Sequence, residues 1–142
     1  MYRVLVPVDL DEDRALAQAE YVASLPNAAD TVEAIILFVF EGDTSDELPD
    51  DMDQFDRSVL RIGSVMHARE YLTDRGVSVH VLEDSVEAVS KILAVAETRD
   101  VDAIVMGGRK QSLPEKALFG SVTEAVIRQS NRPVVVTGGN SD

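Results

Sequence analysis

Tyr2-Arg3-Val4-Leu5-Val6-Pro7-Val8-Asp9 decides the fold. From Val4 to Val8 the apolar residues are consecutive rather than alternating. A strand with one wet face would alternate, so this one must be covered on both sides, as in a parallel sheet clothed by helices. The run predicts a strand over Tyr2–Val8 that ends at a carboxylate, Asp9.

Working outward, a helix is expected from about Asp11 to Leu25. Asp11, Glu12 and Asp13 suit the positive end of its dipole. Leu16, Ala19 and Ala23 form its apolar stripe, and Pro26-Asn27 ends it. Val32–Phe40 reads as a second strand. The acidic stretch 41–56 reads as a surface loop. A helix from about Asp56 to Asp74 carries Val59, Ile62 and Met66 on one face, with Gly76 as its cap. Val77–Leu82 is a third strand. Ser85 can cap a helix running to about Arg99, with Val86, Val89, Leu93 and Ala96 as its stripe. Asp102–Met106 is a fourth strand, about Val122–Ser130 a last helix, and Val134–Thr137 a fifth strand. Residues 138–142 read as a flexible tail. Five strands alternating with four helices require parallel strands and right-handed crossovers. The expected fold is a single doubly wound α/β domain over 1–142, a five-stranded parallel sheet with helices on both faces. Its ligands bind at the carboxyl ends of the strands, at the topological switch point.

Composition narrows the function. The 142 residues include no cysteine, which excludes disulfides and thiolate metal sites. No long apolar segment follows Met1-Tyr2-Arg3-Val4, and no run reaches bilayer-spanning length, so a soluble cytoplasmic protein is expected. The net charge of −13 argues against nucleic-acid and anionic-membrane partners. Asp occurs 15 times and Glu 11 times, against 10 Arg and 3 Lys. That balance predicts a halophilic protein, whose self-repulsion molar salt screens. His67 and His80 lie far apart with no partners at metal-ligand spacing, so no metal site is expected.

The chemistry concentrates in Met106-Gly107-Gly108-Arg109-Lys110, nine residues, and then Gly120-Ser121-Val122-Thr123-Glu124. This loop leaves a strand and opens a helix. Glycines let backbone approach a ligand closely. The helix amides at Val122 and Thr123 form a ready anion site, to which Ser121 and Thr123 add hydroxyls. Arg109, Lys110 and Lys116 add charge; two of the three lysines lie here. The same residues have a purely structural reading, with Ser121 and Glu124 as a capping box. The loop is neither a Walker loop nor a Gly-x-Gly-x-x-Gly fingerprint.

Taken together, Val4-Leu5-Val6-Pro7-Val8-Asp9, Leu37-Phe38-Val39-Phe40-Glu41, Asp102-Ala103-Ile104-Val105-Met106-Gly107, Phe119-Gly120-Ser121-Val122-Thr123 and Arg132-Pro133-Val134-Val135-Val136 resemble the universal stress protein family over nearly the whole chain. The nucleotide-binding branch of that family carries Gly, two residues, Gly, nine residues, Gly, then Ser or Thr. Here Gly107, Lys110, Gly120 and Ser121 occupy those places; the spacing is intact and Lys110 replaces the second glycine. The resemblance implies that Asp9 and Val39 line the nucleoside half of a pocket. Gly107, Gly120, Ser121, Val122 and Thr123 would hold phosphates. Arg109 and Lys110 would meet them as cations, unless Lys110 fills their space instead. The family's Gly-x-Pro turn is absent at Glu83-Asp84-Ser85-Val86, where a carboxylate pair would repel a triphosphate.

The expected function is therefore a stress-response regulator binding ATP or AMP, with or without Mg2+. By resemblance it works as a homodimer through the edge strand Val134–Thr137. Two alternatives stand beside it. One is the same fold without nucleotide, acting through protein–protein interaction. The other is an enzyme with Asp9 as base. No nucleophile accompanies Asp9, so an intrinsic catalyst is not expected beyond slow ATP hydrolysis.

Overall fold

The computed structural model describes residues 2–9, 11–38, 63–82, 88–107 and 121–137. The elements run β1 (Tyr2–Val8), α1 (Glu12–Ala23), α2 (Ala28–Thr31), β2 (Val32–Phe38), α3 (Gly63–Asp74), β3 (Ser78–Leu82), α4 (Ala88–Arg99), β4 (Ala103–Gly107), α5 (Ser121–Gln129) and β5 (Val134–Thr137). All strand pairs are parallel, in the order β3-β2-β1-β4-β5. The expected doubly wound fold is the observed one. The proposed surface loop at 41–56 and tail at 138–142 lie outside the described residues.

Period-2 geometry splits each inner strand between two cores. Val4, Val6 and Val8 join Ala34, Ile36 and Phe38 beneath α1 and α3. Leu5 joins Ile35, Leu37, Ile104 and Met106 beneath α4 and α5. This explains the consecutive apolar residues of β1, which stands between β2 and β4.

The helices depart from expectation in phase. The buried face of α1 is Ala15, Gln18, Ala19 and Val22, so only Ala19 of the expected stripe is fully buried. On α3 the buried residues are Ser64, Val65, Ala68 and Leu72, while Met66 is exposed; Val59 and Ile62 lie outside the described residues. α4 buries Ile92, Val95 and Ala96, with Val89 half-buried and Leu93 to the side. α1 and α3 turn mostly small residues inward, Ala15 and Ala19 on one and Ser64 and Ala68 on the other. A one-turn helix, α2, follows Asn27 at φ 55°.

The helix ends have local causes. Asp11 caps α1, its carboxylate accepting from Arg14 N at 3.0 Å. α3 ends in a Schellman turn: Gly76 at φ 81° donates to Thr73 O, and Val77 N to Leu72 O at 3.0 Å. α4 ends in the same way with Asp100 at φ 52°, Asp100 N on Glu97 O and Val101 N on Ala96 O. Arg132 pins that turn, donating from Nε to Val101 O at 2.8 Å and pairing with Asp100 at 3.1 Å.

At the amino ends of the strands, Glu33 on β2 receives Arg3 of β1 and His80 of β3, each at 2.7 Å. The hydrogen bond from Arg3 holds the Glu33 carboxyl below its ordinary range. This polar belt lies at the end of the sheet away from Asp9 and Gly107.

Candidate functional site

The order β3-β2-β1-β4-β5 reverses direction between β1 and β4, and the crevice opens at their carboxyl ends. β1 pairs with β2 from Tyr2 through Val8, but its pairs with β4 are Val4–Ala103 and Leu5–Ile104. Pro7 has no amide hydrogen to give across the gap. Gln18 of α1 fills it. Its amide nitrogen donates to Pro7 O at 2.7 Å and to Val105 O at 2.8 Å, and the residue is 1% exposed. One buried side chain thus ties the two strands together beneath the crevice floor.

Asp9 and Gly107 end the two strands. Asp9 Oδ1 accepts from Asp11 N at 3.0 Å, Asp9 Oδ2 from the Arg14 guanidinium, and Asp9 O from Ser64 Oγ. Asp9 is thereby locked into the turn that starts α1 and tied to the first turn of α3. Arg14 also faces Asp11 Oδ2 at 3.6 Å. Its methylenes cover Gly107: a Cβ on Gly107 would collide with Arg14 Cγ, stand 2.5 Å from its Cδ, and lie 3.1 Å from Gln18 Oε1. Gly107 has no left-handed φ. A glycine is therefore needed there for space and not for backbone conformation.

α5 begins at Ser121, so its first-turn amides, Ser121 to Thr123, start without helical partners. The Thr123 hydroxyl donates to Gly107 O at 3.4 Å, which holds this helix start beside the end of β4. The Val122 side chain packs into the core under α4 and α5, leaving its amide as the group that can serve a ligand. Ser121 lies inside the helix rather than ahead of it, and Glu124 pairs with Arg128 at 3.3 Å.

The structure brings together Asp9, Gly107, Val122 and Thr123 of the expected site residues, and the helix backbone at Ser121. Val39, Arg109, Lys110 and Gly120 lie outside the described residues. Sequence reasoning missed Arg14 and Gln18. The local sequence carries no signal for either, since each reads as a surface residue of a helix that also holds Glu12, Asp13 and Glu20. Among the described residues no group of three or more His, Cys, Asp or Glu could hold a metal, and no helix is long and apolar enough to cross a membrane. His67 instead pairs with Glu12 at 2.9 Å.

Fold and site together define a doubly wound α/β domain in which the ends of β1 and β4 and the start of α5 meet at the switch point. Residues 1–138 match the model of the universal stress protein family, and the chain belongs to that family. It is similar to Universal stress protein MJ0577 of Methanocaldococcus jannaschii, 46% identical over 46 residues; the match spans 32% of this chain and 28% of that relative. The solved structure of hypothetical protein MJ0577 superposes with a TM-score of 0.75 at 25% identity, covering 99% of this chain and 98% of that one. A universal stress protein from Archaeoglobus fulgidus in complex with dAMP gives a TM-score of 0.66 at 23% identity, covering 96% of this chain and 98% of that one. A universal stress protein in complex with cAMP gives 0.68 at 18% identity, covering 98% of each chain. At these last two identities the likeness speaks for the fold.

Proposed function

We propose that this chain binds an adenine nucleotide, ATP or AMP, in the crevice between β1 and β4, and regulates a stress response through that binding. One observation carries the reading. Gly107 is kept free of a Cβ at the crevice floor, and Thr123 holds the first-turn amides of α5 beside it. Those amides can take phosphate oxygens. The Asp9 carboxylate can accept from a ribose hydroxyl or the adenine amine. The complexes of structurally similar proteins with dAMP and cAMP support the same ligand class. No base–nucleophile pair accompanies Asp9 among the described residues, so the reading is of a binding protein with at most slow ATP hydrolysis.

A second reading has its own observation. Asp9, Asp11, Glu12 and Asp13 follow one another closely where β1 passes into α1, and Lys110 replaces a glycine of the family pattern. A domain so altered can act through protein contacts alone. To separate the two, purified protein is denatured, extracted and chromatographed. The stripped protein is then titrated calorimetrically with ATP and AMP. Release of an adenine nucleotide, or micromolar rebinding, is expected. Neither release nor rebinding would leave the protein-contact reading.

The assembly reading is a homodimer. β5 is an edge strand with Val134, Val135 and Val136 half-buried, and antiparallel pairing with its twofold copy would close that edge. The charge of −13 supports reading it as a halophilic protein whose assembly depends on salt, and a cytoplasmic place is part of the same proposal. Light scattering should give a dimer mass at about 2 M KCl and aggregation or unfolding near about 0.1 M, as the Debye length grows from a few Å to about 10 Å. A monomer mass at high salt would exclude the dimer.

A further inference from the structure

We propose that Arg14 is an internal stopper of the crevice, a side chain that a ligand must push aside to reach Gly107. The inference rests on the nucleotide reading above and adds a residue that sets its affinity.

Arg14 starts from a fixed base. It lies in the first turn of α1, and its amide is held by the capping carboxylate of Asp11 at 3.0 Å. From there the side chain spans the switch point. Its Cγ and Cδ cover the end of β4 at Gly107, and its guanidinium lies on Asp9 at the end of β1. The stem thus fills the space that a missing Cβ at Gly107 keeps open. A phosphate or sugar resting on that floor and the Arg14 stem cannot share it.

The guanidinium does not turn this residue into a phosphate clamp. It faces Asp9 and, at 3.6 Å, Asp11, so its charge is matched by two carboxylates. An anion approaching it meets little net positive potential. Asp9 is also the carboxylate best placed for the nucleoside, so Arg14 competes with ligand twice, for floor and for partner.

The hold is weak enough to be broken. Arg14 and Asp9 are 28% and 38% exposed, so water reaches the pair and an incoming ligand can take its place. Removing the side chain should therefore tighten binding by about three- to fivefold rather than by orders of magnitude.

The test titrates adenosine and AMP calorimetrically into nucleotide-stripped wild type, Arg14→Ala, Arg14→Ser and Arg14→Lys. Arg14→Ala should bind both ligands about three- to fivefold more tightly, Arg14→Ser should do the same, and Arg14→Lys, which keeps stem and charge, should stay within about 1.5-fold of wild type. Arg14→Ser guards against a folding defect confined to one variant, with circular dichroism checking both. Binding by Arg14→Ala where wild type shows none would also support the stopper. Weaker AMP binding with adenosine unchanged would make Arg14 a phosphate contact and overturn it. Unchanged affinities for both ligands would overturn it while leaving the nucleotide reading standing. If no protein binds either ligand, the nucleotide reading fails and the stopper with it.

Discussion

A Gln18→Leu variant should lose about 2–4 kcal/mol of stability, a fall in melting temperature on the order of 10 °C for a domain of this size. The two side chains have similar volume, so packing changes little. What changes is the fate of Pro7 O and Val105 O, both of which accept from the Gln18 amide. With leucine there, two carbonyls in a dry layer lose their donor, at about 1–3 kcal/mol each before relaxation. Gln18→Glu should be worse, since a carboxylate brings oxygen against oxygen and a buried charge. The consequence reaches the crevice, because Gln18 joins β1 and β4 just where their own pairing stops. Nucleotide affinity in Gln18→Leu should fall along with stability. Thermal unfolding by circular dichroism decides the point, and a melting temperature within about 2 °C of wild type would show the tie to be dispensable.

Gln18 also shows where sequence legibility ended. The strands were plain because their cause is composition: Val4, Leu5, Val6 and Val8 must be apolar if helices cover both faces. β1 and β5 were bounded as observed, and β4 was placed within a residue. Helical phase was harder. The expected stripe of α1 holds Leu16, Ala19 and Ala23, whereas its buried face is Ala15, Gln18, Ala19 and Val22, with a glutamine among the residues turned inward. A buried polar residue looks like a surface residue until its two acceptors are known. Those acceptors, Pro7 and Val105, are 11 and 87 positions away.

The site was legible in its parts that depend on backbone. Asp9 and Gly107 fall at strand ends, and strand ends at a switch point are where such folds bind ligands. Val122 and Thr123 fall in the first turn of a helix, where free amides are a property of position. Arg14 was not legible, because nothing in its neighbourhood of the chain says that it crosses to β4. Local sequence presents Arg14 as the surface cation of an acidic turn, Asp11-Glu12-Asp13-Arg14. Only the strand order, which brings the ends of β1 and β4 side by side, converts it into a residue of the crevice.

Gly107→Val should abolish nucleotide binding and cost about 1–3 kcal/mol of stability, the usual range for overfilling a packed site. The collision is with the stem of Arg14, and behind it with Gln18 Oε1 at 3.1 Å. Arg14 is flexible and partly exposed, so the strain can be relieved in a second variant. Gly107→Val with Arg14→Ala should recover most of the lost stability, with a coupling of about 0.5–3 kcal/mol between the two positions. Binding should not recover, since the valine methyls then take the floor themselves. That split between stability and binding separates two roles of one glycine: the space beside Arg14 and the space beneath a phosphate. Urea unfolding measures the first and calorimetric titration with AMP the second. Equal stability of the single and double variants would mean that Arg14 does not press on Gly107. Retained AMP binding in Gly107→Val would move the phosphate site away from the end of β4.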